Sequence, residues 1–130
     1  MDYYLHLGDG ARDFDALQSF ILLPYPRALL FGVKGNCDWT GEMFPEELQL
    51  HIGAANVMMT HGHRYGVKQG YDVIDTASAR AGCTVTLFGH THRPLVEQRS
   101  TLLINPGSAR DDRLALLTVH DDGRAEGEIL

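Results

Sequence analysis

Cysteine is scarce in this chain: Cys37 and Cys83 are the only two among 130 residues. Two thiols build no disulfide framework, and the lack of a thiolate quartet argues against a structural zinc knuckle. No secretory leader follows Met1, so the expected home is a reducing cytoplasm. Long apolar runs are missing too. The longest, FILLPYPRALLFGV from Phe20 to Val33, is broken by Pro24, Pro26 and Arg27, which argues against a membrane span. An excess of positive charge is also absent: 11 Lys and Arg stand against 17 Asp and Glu, for a net charge of −6. A general nucleic-acid binder needs a basic footprint, so that class is set aside. Internal repeats, low-complexity runs and linkers are likewise lacking. What remains is ordinary globular composition, 44% hydrophobic and 22% charged. The length suits one domain, residues 1–130, with one core.

Apolar periodicity divides the chain into alternating elements. YYLHL (Tyr3 to Leu7) reads as a strand that ends in the sharp turn Gly8-Asp9-Gly10. In ARDFDALQSFILL the apolar residues Phe14, Leu17, Phe20 and Ile21 recur with the helical period, with Asp13 as N-cap and Pro24 and Pro26 as the stop. ALLFGV (Ala28 to Val33) reads as a buried strand. LQLHI and NVMMT read as two more, joined by Gly53-Ala54-Ala55. Val73, Ile74, Ala77 and Ala81 predict a helix over 71–81, closed by Gly82. TVTLF, PLVEQ and TLLIN follow as strands, and RLALLTV and RAEGEIL flank Asp121-Asp122-Gly123 as a hairpin. The front half alternates strand and helix while the back half is mostly strand. That pattern predicts two packed sheets with helices outside, not one doubly wound sheet.

The polar residues of interest cluster just past strand ends. They are Gly8-Asp9, Gly35-Asn36-Cys37-Asp38, His61-Gly62-His63 and Gly89-His90-Thr91-His92. In α/β sheets that edge is where ligands bind, and each adjacent glycine permits a sharp turn. A carboxylate with imidazoles suits borderline divalent ions such as Mn²⁺, Fe²⁺ and Zn²⁺. Singly, each motif has an ordinary reading. Gly-Asp and Gly-Asn are turn dipeptides, and a lone cysteine behaves as a small hydrophobe. His6, His51 and His120 carry no pattern and read as structural. A His-x-His amidohydrolase would need a barrel of about 250 residues, too long for this chain. The weight lies in four motifs, each at a strand end.

In that order GD, GNCD, THGH and GHTH, followed by INPGS (Ile104 to Ser108), the sequence resembles the calcineurin-like metallophosphoesterase superfamily. Within it the chain is similar to the small bacterial and archaeal phosphodiesterase group, from Tyr3 to the end. The resemblance implies an α/β fold, a four-layer α-β-β-α sandwich of two mixed sheets. It implies one or two divalent ions, Mn²⁺ first, with Fe²⁺, Zn²⁺ or Ni²⁺ as alternatives. By motif Asp9 would bridge the ions, Asn36, His61 and His90 would hold one, and His92 would belong to the other. The turn from Asn105 to Ser108 would support the site from behind. A two-ion site with ions about 4 Å apart makes a hydroxide for in-line attack on a phosphodiester and offsets the charge that develops. Asn36 and His63 would be catalytic, and Cys37 and His63 would contact a small phosphodiester substrate. Nucleic acid and membrane are not expected as partners.

Two departures from the family pattern carry expectations of their own. Relatives begin with an Asp-x-His strand and a helix, and this sequence reads as starting at the second strand. An internal methionine start, a natural truncation and a rebuilt site all remain open. Each implies an exposed apolar face that a second copy would cover, hence a homodimer or larger assembly. Relatives also carry GNH where this chain has Gly35-Asn36-Cys37, which places monoester hydrolysis in doubt. The retromer scaffold subunit is similar in fold and serves as a binding platform, so a non-catalytic scaffold is the alternative.

Overall fold

The computed structural model describes residues 3–6, 29–32, 47–107 and 115–129. Two short strands, β1 (Tyr3–His6) and β2 (Leu29–Gly32), pair in parallel with Tyr3 opposite Leu29. Parallel partners need a crossover connection. The helix expected over 11–23 lies outside the described residues, as do Gly8-Asp9, the segment from Gly35 to Asp38, and Ser108.

The main body is a five-stranded mixed sheet in the order β3-β4-β5-β7-β6. Its strands are β3 (Glu47–Ile52), β4 (Ala55–Thr60), β5 (Val85–Leu87), β6 (Leu95–Gln98) and β7 (Leu102–Asn105). The turn between β3 and β4 uses Gly53 at φ 59°, a conformation that favours glycine. β4, β5 and β7 run parallel, with Val57 beside Val85 and Val85 beside Leu102. β3 and β6 flank them antiparallel. The single described α-helix, α1 (Asp72–Arg80), makes the crossover from β4 to β5, and Gly82 at φ 82° follows its end.

Period-two patterning sorts the apolar residues onto two faces. Ala55, Val57, Val85, Leu87, Leu102 and Ile104 form one buried layer. It is covered by Ala115, Leu117 and Val119 of β8 (Ala115–Val119) and Ala125 of β9 (Ala125–Ile129). These two strands form an antiparallel hairpin, as the Asp-Gly turn predicts. Gly127 sits at the tightest point of this layer: a Cβ there would stand 2.7 Å from Cδ1 of buried Ile104. On the opposite face Val67, Ile74, Phe88 and Leu103 cluster, with Tyr65, Tyr71 and Leu95 against them. The result is a mixed α/β architecture with a helix on one side of the main sheet and a second small sheet on the other. No described helix is long and apolar enough to cross a membrane.

One buried carboxylate ties the helix to the sheet. Asp75 of α1 accepts hydrogen bonds from the Thr101 amide (2.8 Å), the Thr101 hydroxyl (2.7 Å) and the Ser100 amide (3.2 Å). Because the carboxylate only accepts, the Thr101 hydroxyl must spend its proton there. Thr86 Oγ1, 2.7 Å from Thr101 Oγ1, is therefore the donor in that contact. Burial pushes the Asp75 carboxyl up, and the hydrogen bonds from Thr101 and Ser100 outweigh it and hold it below the ordinary carboxylate range. A lowered folded value means that the stabilisation is present above the unfolded value, about 3.9, and is lost as pH falls through the folded one. Asp75→Asn is expected to cost about 1.5–3 kcal/mol, the range for hydrogen bonds to a charged group. Urea unfolding at neutral pH checks the loss, and the gap between wild type and variant should shrink on acidification below about pH 4.

Candidate metal centre

The three parallel strands finish at one edge of the sheet, and two of them hand the chain directly to histidines. After β4, His61 is 2% exposed, and Gly62 turns the backbone at φ 102°, ψ −10°. A Cβ on Gly62 would stand 3.3 Å from a Val67 methyl carbon and 3.5 Å from Phe88 Cβ, so both conformation and space call for glycine here. His63 opens a short 3-10 turn, His63–Tyr65, closed by the Tyr65 amide donating to the Gly62 carbonyl at 3.0 Å. Tyr65 then donates its hydroxyl to Glu47 at the start of β3. Burial first, and the Glu47 carboxylate second, push that phenol up to about 12. It stays a protonated donor through the neutral range and clamps the turn to the sheet margin.

After β5, the Phe88 amide continues the ladder by donating to the Ile104 carbonyl at 3.1 Å. The Gly89 amide donates to the His61 carbonyl at 2.9 Å and so joins the two histidine loops. His90 and His92 both adopt left-handed backbone, at φ 66° and φ 59°. That conformation costs a non-glycine residue roughly 1–2 kcal/mol, and such outliers gather at functional sites. The Thr91 amide bonds back to the Gly89 carbonyl at 2.8 Å between them.

These loops bring three imidazoles together. His61 Nε2 and His90 Nδ1 are 3.1 Å apart. The ring centroids of His61 and His63 are 5.4 Å apart, those of His61 and His90 5.0 Å, and those of His63 and His90 6.1 Å. His92 is exposed and, among the described residues, makes no ring contact with this trio. The close nitrogen pair fits a shared ion. Two nitrogens each about 2.1 Å from one ion stand about 3.0 Å apart at a right angle and about 3.4 Å at the tetrahedral angle. The observed separation lies in that interval. Without an ion the same contact is a hydrogen bond that needs one ring protonated at its facing nitrogen; to share an ion both facing nitrogens would be unprotonated and give their lone pairs to it. Among the described residues, no group of three His, Cys, Asp or Glu is close enough to hold an ion. The further ligands expected from the motifs, Asp9 and Asn36, lie outside the described residues, as does Cys37.

Thr91, Tyr65 and Glu47 play parts here that sequence reading did not single out. Only the position of Thr91 inside GHTH could have flagged it. The pairing of Tyr65 with Glu47 joins residues 18 apart and leaves no local signal.

With this geometry in place, comparison with known proteins is decisive on family. The profile of the calcineurin-like phosphoesterase superfamily domain matches residues 1–121. The chain belongs to that superfamily. The probable metallophosphoesterase YsnB of Bacillus subtilis is 34% identical to this chain over 131 aligned positions, covering 94% of this chain and 71% of YsnB. Wild-type Vps29 of Entamoeba histolytica, solved as a zinc complex, superposes with TM-score 0.70 at 20% identity, over 100% of this chain and 82% of the other. An archaeal phosphodiesterase superposes with TM-score 0.62 at 19% identity, over 100% and 84%. At such identities the two structures speak for the fold alone. The superfamily implies divalent metal binding and a hydrolase class, and the histidine pair has the donor chemistry for it.

Gly62→Ala is expected to lower stability by about 1–2 kcal/mol, the penalty for left-handed backbone in a non-glycine residue. A lower urea midpoint at unchanged slope is the measurement.

Proposed function

We propose that this phosphoesterase hydrolyses small phosphodiesters with Mn²⁺ as its native metal. The observation that carries the reading is the His61–His90 nitrogen pair at 3.1 Å, set at the carboxyl ends of parallel strands. In this reading Asp9, Asn36, His61 and His90 hold one ion, and Asp9 and His92 serve a second. A divalent ion, when bound, neutralises phosphoryl charge and makes water acidic enough to act as a nucleophile near neutral pH. The chain's own groups do the rest. His61 and His90, anchored by the Gly89–His61 backbone bond, fix the direction of approach. His63, half-buried and beside the pair, contacts a phosphoryl oxygen or gives a proton to the departing alkoxide. By motif alone, Asn36 would take part in catalysis and Cys37 would contact the substrate. The shortage of positive charge favours small substrates over nucleic acid. The working assembly is a cytoplasmic homodimer or larger, which sedimentation finding only monomer would remove from the reading.

Elemental analysis after Mn²⁺ loading and desalting is the first test. Wild type is expected to keep about one to two ions per chain, as a two-ion site implies. His61→Ala and His90→Ala should each lose at least half of that metal and nearly all cleavage of bis(4-nitrophenyl) phosphate. A metal-loaded chain that cleaves no phosphodiester would move the reading to a binding platform on the same fold.

His63→Ala separates holding metal from moving protons. Its metal content should match wild type while kcat falls by about 100- to 10,000-fold, the range for a positioned acid or base. Unchanged turnover would exclude His63 from the chemistry.

A further inference from the structure

We propose that Asn105 is a positioning residue: its side-chain amide holds the Gly89–His92 loop in the left-handed shape that presents His90 to the metal. The inference rests on the metal-binding reading above and deepens it.

Asn105 ends β7 and is completely buried. Both its amide protons and its oxygen are engaged. Nδ2 donates to the Gly89 carbonyl at 3.2 Å and to Thr91 Oγ1 at 2.9 Å, and Oδ1 accepts from the Gly107 amide at 2.9 Å. The partners dictate the orientation of the amide. A backbone N–H must meet the oxygen and a backbone carbonyl must meet the nitrogen. The two Nδ2 bonds fall on the residues that flank His90, so the loop is gripped on both sides of the ligand rather than at the ligand. Thr91 Oγ1 also accepts from the Arg93 amide at 3.2 Å, on the far side of His92. One hydroxyl therefore ties Asn105 to the backbone that brackets His92 and follows His90, the two left-handed histidines at φ 59° and φ 66°. Strained backbone persists only where its surroundings over-determine it, and these bonds are what surrounds it here. β7 is hydrogen-bonded to β5, the strand that feeds the loop, so the brace and the loop share one rigid base. Groups that orient metal ligands commonly change metal affinity by about 10- to 100-fold when lost.

The discriminating variant is Asn105→Asp. It keeps shape and the acceptor for Gly107 but turns an oxygen toward the Gly89 carbonyl, where a donor is required. Thr91→Val removes the hydroxyl at constant shape, and Thr91→Ser restores it. Two readouts are taken on the full chain: the Mn²⁺ dissociation constant by competition with a fluorescent chelator, and the HN–Hα coupling of His90 in metal-free protein. Asn105→Asp and Thr91→Val are expected to weaken Mn²⁺ binding by about tenfold or more. Both should shift the His90 coupling away from its left-handed value, and Thr91→Ser should return both readouts toward wild type. Folded variants with wild-type affinity and wild-type coupling would overturn the inference. If wild type itself binds no Mn²⁺, the metal reading fails, and the coupling alone decides whether Asn105 sets the loop. If Asn105→Asp does not fold, the same two readouts on Thr91→Val and Thr91→Ser decide it.

Discussion

Parallel pairing of β4, β5 and β7 is the constraint on which the site depends. Parallel strands in register end at the same edge, so the residues after each of them are neighbours in space although they are far apart in sequence. His61 and His90 are 29 residues apart and 3.1 Å apart at their ring nitrogens. The crossover through α1 is what makes the pairing possible, and it is held by its own buried contact. Asp75 reaches across to the turn that leads into β7, and Ile74 fills the layer beside it.

β7 carries a buried polar clamp at each end. At its start the Thr101 hydroxyl and amide bind the helix through Asp75. At its finish Asn105 binds the GHTH loop and the following Gly107 amide. Between them Leu102, Leu103 and Ile104 are buried on alternating faces. Burying a polar group without a partner costs free energy, and these groups have theirs. What they add is register. A slip of β7 by one residue would reverse its faces and strand both clamps in apolar surroundings. The strand is thereby fixed against helix and loop at once.

Stability and function pull in different directions at the site edge. Two histidines with left-handed backbone and one glycine at φ 102° are unfavourable or restrictive locally. His90 turns its imidazole to His61 from this backbone, while His92 stays exposed. The hydrogen bonds among Gly89, Thr91, Arg93 and Asn105 offset that strain. With these bonds in place His61 Nε2 and His90 Nδ1 stand 3.1 Å apart.

Many of these features are encoded locally. Period-two and period-3.6 patterning place the strands and α1, and Asp122-Gly123 marks the closing hairpin. The ordered motifs at strand ends carry the family, because metal chemistry restricts which residue types can stand there. Other features have no local trace. Sheet order β3-β4-β5-β7-β6 depends on which non-adjacent strands meet, and that is settled by burial on both faces. Asp75 looks like any helical acid until Thr101 is placed against it. Tyr65 meets Glu47 only after the His63–Tyr65 turn has formed. The sequence by itself determined the described strands and helix, the order of the motifs and the positions of the described turns, since these follow from residue type and short-range periodicity. Tertiary structure alone decided which imidazoles converge and at what distance, because that distance is the sum of strand register, crossover packing and buried hydrogen bonds between segments remote along the chain.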